Sequence, residues 1–252
     1  MNKKFINKRK KKILNIKLIF LYLFFFFIII YIYINSQKIS NLSQNIIQNY
    51  SNKYEYNFIN VDISNLKYIP KIEILEYFEK YQNKSIFLIP IKKIANEIRL
   101  NKWVQNLHLK NDYKNTIIVS LEEETPLGVY FNNNQRILFS ENLKFLEILD
   151  IDSNYLELIT FYGENSIMNS KNLIINMNID FISEIKSATY IKNRRWNIEL
   201  KNLILLKLPE ENIKDAINNY NKIYKNFSNK ELEDVSSIDL RINNKAIIKY
   251  KN

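Results

Sequence analysis

The sequence predicts an α+β protein in which one N-terminal transmembrane helix leads into two mixed domains, the second strand-rich and crossed by a helix. Three observations predict it. A run without any charge, LIFLYLFFFFIIIYIYI, extends from Leu18 to Ile34. Alternating and helical hydrophobic periods then follow from Phe58 to Glu123 in the order strand, helix, short extended piece, helix, strand, strand. Beyond Gly128, strand patterns recur around one helical pattern that begins at Pro209.

The anchor rests on length. At 1.5 Å per residue, residues 18–34 span roughly 26 Å, slightly under the ~30 Å hydrocarbon core. Ile13 and Ile16 extend the apolar surface, and Lys17 reaches back to the headgroups. Leu18, Phe24, Phe27, Ile30 and Ile34 mark the anchor, with Tyr31 and Tyr33 suited to the far interface. A cleaved signal peptide competes with this reading. Its apolar core is ordinarily shorter, and Asn35-Ser36-Gln37-Lys38 offers no small-residue cleavage site. Residues 1–17 carry Lys3, Lys4, Lys8, Arg9, Lys10, Lys11, Lys12 and Lys17 and no acid. That bias keeps the tail cytoplasmic and sends the rest across the membrane, a single-pass type II arrangement in a cell inner membrane with periplasmic domains. The expected organisation is a basic tail over 1–17, a transmembrane helix over 18–35, a stalk over 36–54 continuing that helix, a first domain over 55–126 and a membrane-distal domain over 127–252.

In the first domain, FINVDIS alternates, with Ile59, Val61 and Ile63 on one face of a half-buried strand. Pro70 opens a helix in which Ile74, Leu75, Phe78 and Tyr81 share a side. Ser85 to Ile89 reads as a brief strand or extended link, and Pro90 opens a second helix lined by Ile91, Ile94, Ala95 and Ile98. Trp103 to Leu109 and Thr116 to Glu123 are two strands around the turn Lys110-Asn111-Asp112. The second domain offers strands at 136–139, 188–192, 196–200 and 204–208 and a final strand over Lys245 to Tyr250. Its main helix runs from Pro209 with Ile213, Ala216, Ile217, Tyr220, Tyr224 and Phe227 in phase, and Ile167 to Met177 gives another.

Composition excludes much chemistry. Two Gly leave nothing for a phosphate-cradling loop, zero Cys removes thiolate metal sites and a cysteine nucleophile, and a single His makes catalytic zinc implausible. The net charge of +11 suggests nucleic acid until its placement is noted, since the eight basic residues of the tail leave +3 elsewhere. The chain therefore reads as a binder rather than an enzyme, with no catalytic, cofactor or metal residues, no nucleic acid and no small-molecule substrate. The triplet Glu122-Glu123-Glu124 ends an alternating strand, so successive carboxylates diverge and read as a solvated strand end. His108 reads as a surface strand residue. Asn132-Asn133-Asn134 reads as a solvated turn.

The stretch NKSIFLIPIKKIANEIRLNKWVQNLHLKNDYKNTIIVSLEEETPLGVY, Asn83 to Tyr130, resembles the POTRA (polypeptide-transport-associated) domain of the FtsQ/DivIB cell-division family, through its SIF-L segment, Trp103-Val104 and the Glu-x-x-Pro of Glu123 to Pro126. NRRWNIELKNLILLKLPEE, Asn193 to Glu211, is similar to the arginine-arginine-tryptophan strand of alphaproteobacterial FtsQ. SSIDLRINNKAIIKYK, Ser236 to Lys251, is similar to that family's closing strands. The chain departs from the family at Ser64-Asn65-Leu66, where a glycine is usual, at Phe139-Ser140-Glu141-Asn142, where an Asp-x-x-Gly turn is usual, and at Gly128, where Ala is common. The resemblance implies a POTRA domain of order β-α-β-α-β-β and a β domain beyond it. It implies a septal divisome scaffold that binds the FtsB–FtsL complex, with FtsK, FtsW and FtsI as further candidate partners. Partner contacts are then expected at Arg194, Arg195, Trp196, Arg241, Ile242, Ile247, Ile248 and Tyr250, by addition of a partner strand to a sheet edge. Asp239 and Arg241 share a strand face and could equally pair with neighbours. Competing readings are a POTRA-bearing secretion or outer-membrane assembly component and a membrane-anchored periplasmic hydrolase.

Overall fold

The computed structural model describes residues 3–64, 66–150, 155 and 157–251, with side chains from Leu18 onward except at Asn229. The basic side chains of the tail and Asn65 lie outside the described residues. The chain divides into two compact units, one of residues 1–65, 70–96 and 108–120 and one of 66–69, 97–107 and 121–252.

In the first unit, α1 (Lys3–Ile34) and α2 (Ser36–Tyr54) are separate helices. The segment expected to continue the transmembrane helix as a stalk is instead bent by 71° from Leu18–Ile34. Asn35 supplies the cause: its side-chain amide and its own N–H both donate to the Tyr31 carbonyl at 3.0 Å, a local competition that bends helices. Among the described residues no single helix is long and apolar enough to cross a membrane, although Leu18–Ile34 and Ser36–Tyr54 meet that test together as a bent pair. Strand β1 (Asn60–Ile63), helix α3 (Lys71–Glu79) and helix α4 (Ile91–Ile98) follow. Strands β2 (Val104–Asn111) and β3 (Thr116–Glu123) complete a three-stranded sheet of order β1-β3-β2, with β1 parallel to β3.

Two expectations change here. Ile86–Leu88 is a 3-10 turn rather than a strand, because the Ser85 hydroxyl accepts from the Phe87 N–H and Pro90 stops any extension. Only Ser85 pairs, in an isolated bridge to Asn57. Ile59 is exposed and Phe58 is buried in its place. The N–H groups of Ile59 and Asn60 both donate to the Asn115 carbonyl, which resets the alternation just before β1.

The second unit is built on a nine-stranded mixed sheet. Its strands are β4 (Pro126–Asn132), β5 (Gln135–Ser140), β6 (Phe145–Ile148), β7 (Thr160–Tyr162), β8 (Ile185–Ile191), β9 (Arg195–Leu200), β10 (Leu205–Lys207), β11 (Val235–Asp239) and β12 (Ile247–Tyr250). They lie in the order β12-β11-β10-β9-β8-β7-β4-β5-β6. β7 pairs parallel with β4 and with β8, and β10 pairs parallel with β11. Helices α5 (Ser166–Ile175) and α6 (Ile179–Glu184) bridge β7 to β8, while α7 (Ile213–Tyr224) and α8 (Asn229–Asp234) bridge β10 to β11. α7 starts at Ile213 rather than Pro209 because Asn212 is left-handed (φ 57°), so Glu210 and Glu211 precede the helix. The apolar face of α7 (Ile213, Ala216, Ile217 and Tyr220) packs into the main core with Leu173, Phe181, Trp196, Leu206 and Ile238. A smaller cluster, Val129, Leu138, Leu146 and Leu149, gathers Trp103 and Tyr155 around it.

Candidate partner-binding edge

Register gathers most of the expected partner residues at one end of the large sheet. Asn197 on β9 lies opposite Lys207 on β10, Lys207 opposite Asp239 on β11, and Asp239 opposite Ile247 on β12. The turn before β9, the loop before α7 and the loop between β11 and β12 all lie at this end. Between the last two is a groove of about 430 Å³, with Glu210, Glu211 and Asp215 on one wall and Arg241, Ile242 and Asn244 on the other. Arg194 Nε reaches Glu210 Oε2 at 3.3 Å, so the β8–β9 turn is tied to the same rim. The acidic wall was not expected, since the late start of α7 is what turns those carboxylates toward the groove.

The eight residues do not form one surface. Trp196 is buried (3% exposed) and packs edge-on to Phe161 at 5.9 Å and against Tyr190 at 4.7 Å. It is a core residue. Arg195 belongs to β9, an interior strand rather than a sheet edge, and its Nε is buried without a hydrogen-bond partner. Arg241 lies beyond β11, which ends at Asp239, and its guanidinium folds back to clasp the Asp239 carboxylate. The Arg241 hydrogen bond, against some desolvation, holds that carboxyl below the ordinary carboxylate range. Ile242, Ile247 and Tyr250 are exposed, whereas Ile248 packs against the core.

β12 is one of the two edge strands, and its pairing sorts its donors. Lys251 N–H donates to the Asp234 carbonyl at 2.7 Å. N–H groups alternate in the sheet plane, so Lys249 and Ile247 also point toward β11 while Ile248 and Tyr250 point outward. A β-bulge opposite, between Val235 and Ser237, leaves the alternation along β12 intact.

The acidic triplet diverges as strand geometry requires, but it is not a solvated end. Glu122 accepts from Asn106 at 2.7 Å. Glu123 accepts the N–H groups of Lys67, Tyr68 and Ile69 at 2.6, 2.8 and 2.6 Å. Glu124 is buried against Asn142 and Lys144. His108 is exposed. Among the described residues no cluster of His, Asp or Glu could hold a metal ion.

Residues 57–124 match the family model described as the POTRA domain of FtsQ type, and residues 128–241 match that of the cell division protein FtsQ/DivIB C-terminal region. The chain belongs to the FtsQ/DivIB family. Proteins named cell division protein FtsQ resemble it along most of its length. That of Rickettsia felis is 26% identical over 218 residues, 82% of this chain and 77% of the relative. That of Rickettsia bellii is 27% identical over 220 residues, 83% and 78% respectively. That of Agrobacterium fabrum is 22% identical over 181 residues, 71% and 56%. The FtsQ/DivIB C-terminal match spans β4 through β11, the strand that seats the β12 edge.

Proposed function

We propose that the chain is a bitopic, non-enzymatic divisome scaffold of the cell inner membrane that binds the FtsB–FtsL complex at the septum. In this reading Leu18 to Ile34 cross the membrane, residues 55–126 form the periplasmic POTRA domain, and residues 127–252 form the membrane-distal domain. The observation that carries it is the open edge of β12, whose Ile248 and Tyr250 N–H groups point outward and which starts from the loop that walls the groove with Arg241 and Ile242. An extended partner segment would add to that edge through main-chain hydrogen bonds and seat side chains in the groove. Arg194, Arg241, Ile242, Ile247 and Tyr250 support such contacts, with FtsK, FtsW and FtsI as further partners. The FtsQ/DivIB match over residues 128–241 favours the cell-division reading over an outer-membrane assembly role. Purification from detergent-solubilised membranes should recover FtsB and FtsL with the protein. Recovery of barrel-assembly factors in their place, or turnover of murein fragments, would replace this reading with one of its competitors.

A further inference from the structure

Helix α2 is amphipathic in the opposite sense to a helix packed on a soluble domain. Its inward side is polar: Ser51 and Ser85 are fully buried with their hydroxyls 2.6 Å apart, while Gln48 donates to Asn57 and accepts from the Ser85 N–H. Its outward side is mostly apolar, interrupted by Ser43 and Lys53. At 100° per residue Ile39, Leu42, Ile46, Tyr50 and Tyr54 share one face, and they are 43–62% exposed. The ring of Tyr50 lies 4.5 Å from Tyr54 and 6.5 Å from Tyr56, and Tyr56 lies 5.7 Å from the exposed Phe87. Lys38 and Lys53 are the only charges on the helix.

We infer that α2 is an interfacial helix, lying in the headgroup region of the bilayer with this face in lipid. The inference rests on the reading of Leu18 to Ile34 as the anchor. Continuity argues for it: one residue, Asn35, joins α2 to that segment, and the 71° bend turns α2 from the anchor's axis toward the membrane plane. The spacing argues for a flat surface rather than a partner helix. The seam of a left-handed coiled coil would fall on Asn49 and Lys53, whereas the stripe continues on Tyr50 and Tyr54 as a straight helix does. Clustered tyrosines suit the boundary between acyl chains and headgroups, and an acid-free helix with two lysines suits anionic lipid.

The absence of native cysteine allows single nitroxide labels without background. The full chain, reconstituted in vesicles of phosphatidylethanolamine and phosphatidylglycerol, would carry Leu42→Cys, Ile46→Cys or Tyr50→Cys on the apolar face. Gln44→Cys reports the polar side, and Phe24→Cys and Phe27→Cys report the anchor. Labels at 42, 46 and 50 should relax severalfold more with oxygen than with a water-soluble nickel chelate, and the label at 44 should show the reverse. Anchor labels in lipid together with chelate-exposed labels at 42, 46 and 50 would overturn the interfacial helix alone. Anchor labels in water would overturn the anchor and this inference with it. Spin–spin broadening at 46 that vanishes on dilution with unlabelled chain would assign the face to a second copy and overturn the lipid assignment.

Discussion

Gly128 shows how closely one residue can be specified by its neighbours. A Cβ added there would lie 2.5 Å from Cε2 of Phe161 and 3.0 Å from the Ile159 carbonyl, and Phe161 is itself packed against Phe139 and Trp196. Gly128→Ala should therefore cost about 1–3 kcal/mol by overpacking, seen as a lowered melting temperature that Phe161→Leu in the same chain partly restores. Gly163 is specified in the same way, with φ 96° and a Cβ there colliding with the Tyr190 carbonyl oxygen. Among the described residues, seven of the twelve non-glycine positions with positive φ are asparagines, including Asn133 and Asn134 in the two-residue β4–β5 turn. Asn tolerates this conformation through its short polar side chain. Glu123 has a comparable local duty, gathering three amides of the segment before α3. Glu123→Gln places a donor among them, and the N–H groups of Lys67, Tyr68 and Ile69 should exchange with solvent faster, with a stability loss of roughly 1–3 kcal/mol. The clasp between Asp239 and Arg241 gives a pH prediction. Its carboxyl is depressed in the folded protein, so the stabilisation is complete above the ordinary aspartate value of about 3.9 and is lost as pH falls through the lowered one. Melting temperatures followed downward from pH 6 should hold until about pH 4 and then fall, and the fall should be shallower in Asp239→Asn.

Among the elements, β12 carries the sharpest test. Ile247→Pro removes an inward N–H and should destabilise the second unit by on the order of 2–3 kcal/mol. Ile248→Pro removes an outward N–H, so its cost should not exceed that of Ile248→Ala, which loses the same packing, yet it should lose FtsB–FtsL capture while Ile248→Ala keeps it. Thermal melting and co-purification read the two effects separately, and equal behaviour of the two prolines would sink strand addition at this edge. The longer elements were legible in the sequence because several turns of a period can be counted: α3, α4 and most of α7 follow their apolar spacing. Short ones were not. Three residues of β7 and six of α6 show no period; α8 was also missed, although the capping box of Ser228 and Glu231 at its start is a signal that could have found it. Trp196 misled for a different reason. Tryptophan is favoured both in interface centres and in cores, and only the position of β9 inside the sheet decides between them.

For the whole molecule, the order of domains could be read directly, while the assembly of the edge could not. The row formed by Asn197, Lys207, Asp239 and Ile247 joins positions far apart in sequence, and no local pattern encodes it. The anchor remains the most consequential whole-chain expectation. A reporter active only in the periplasm should be active when fused after Asn252, and a cytoplasm-only reporter at the same point should be silent. The reverse pattern would refute the type II orientation. The parallel pairing of β10 with β11 adds a consequence in time rather than space. Residues 208–234 must close as a crossover before β11 can dock, and such non-local closure slows folding. β12 has no sheet neighbour except β11, so its edge is completed only after that crossover has closed. Under the proposed strand addition, a half-folded copy offers no β12 edge for a partner strand to extend, so recruitment would double as a checkpoint on maturation.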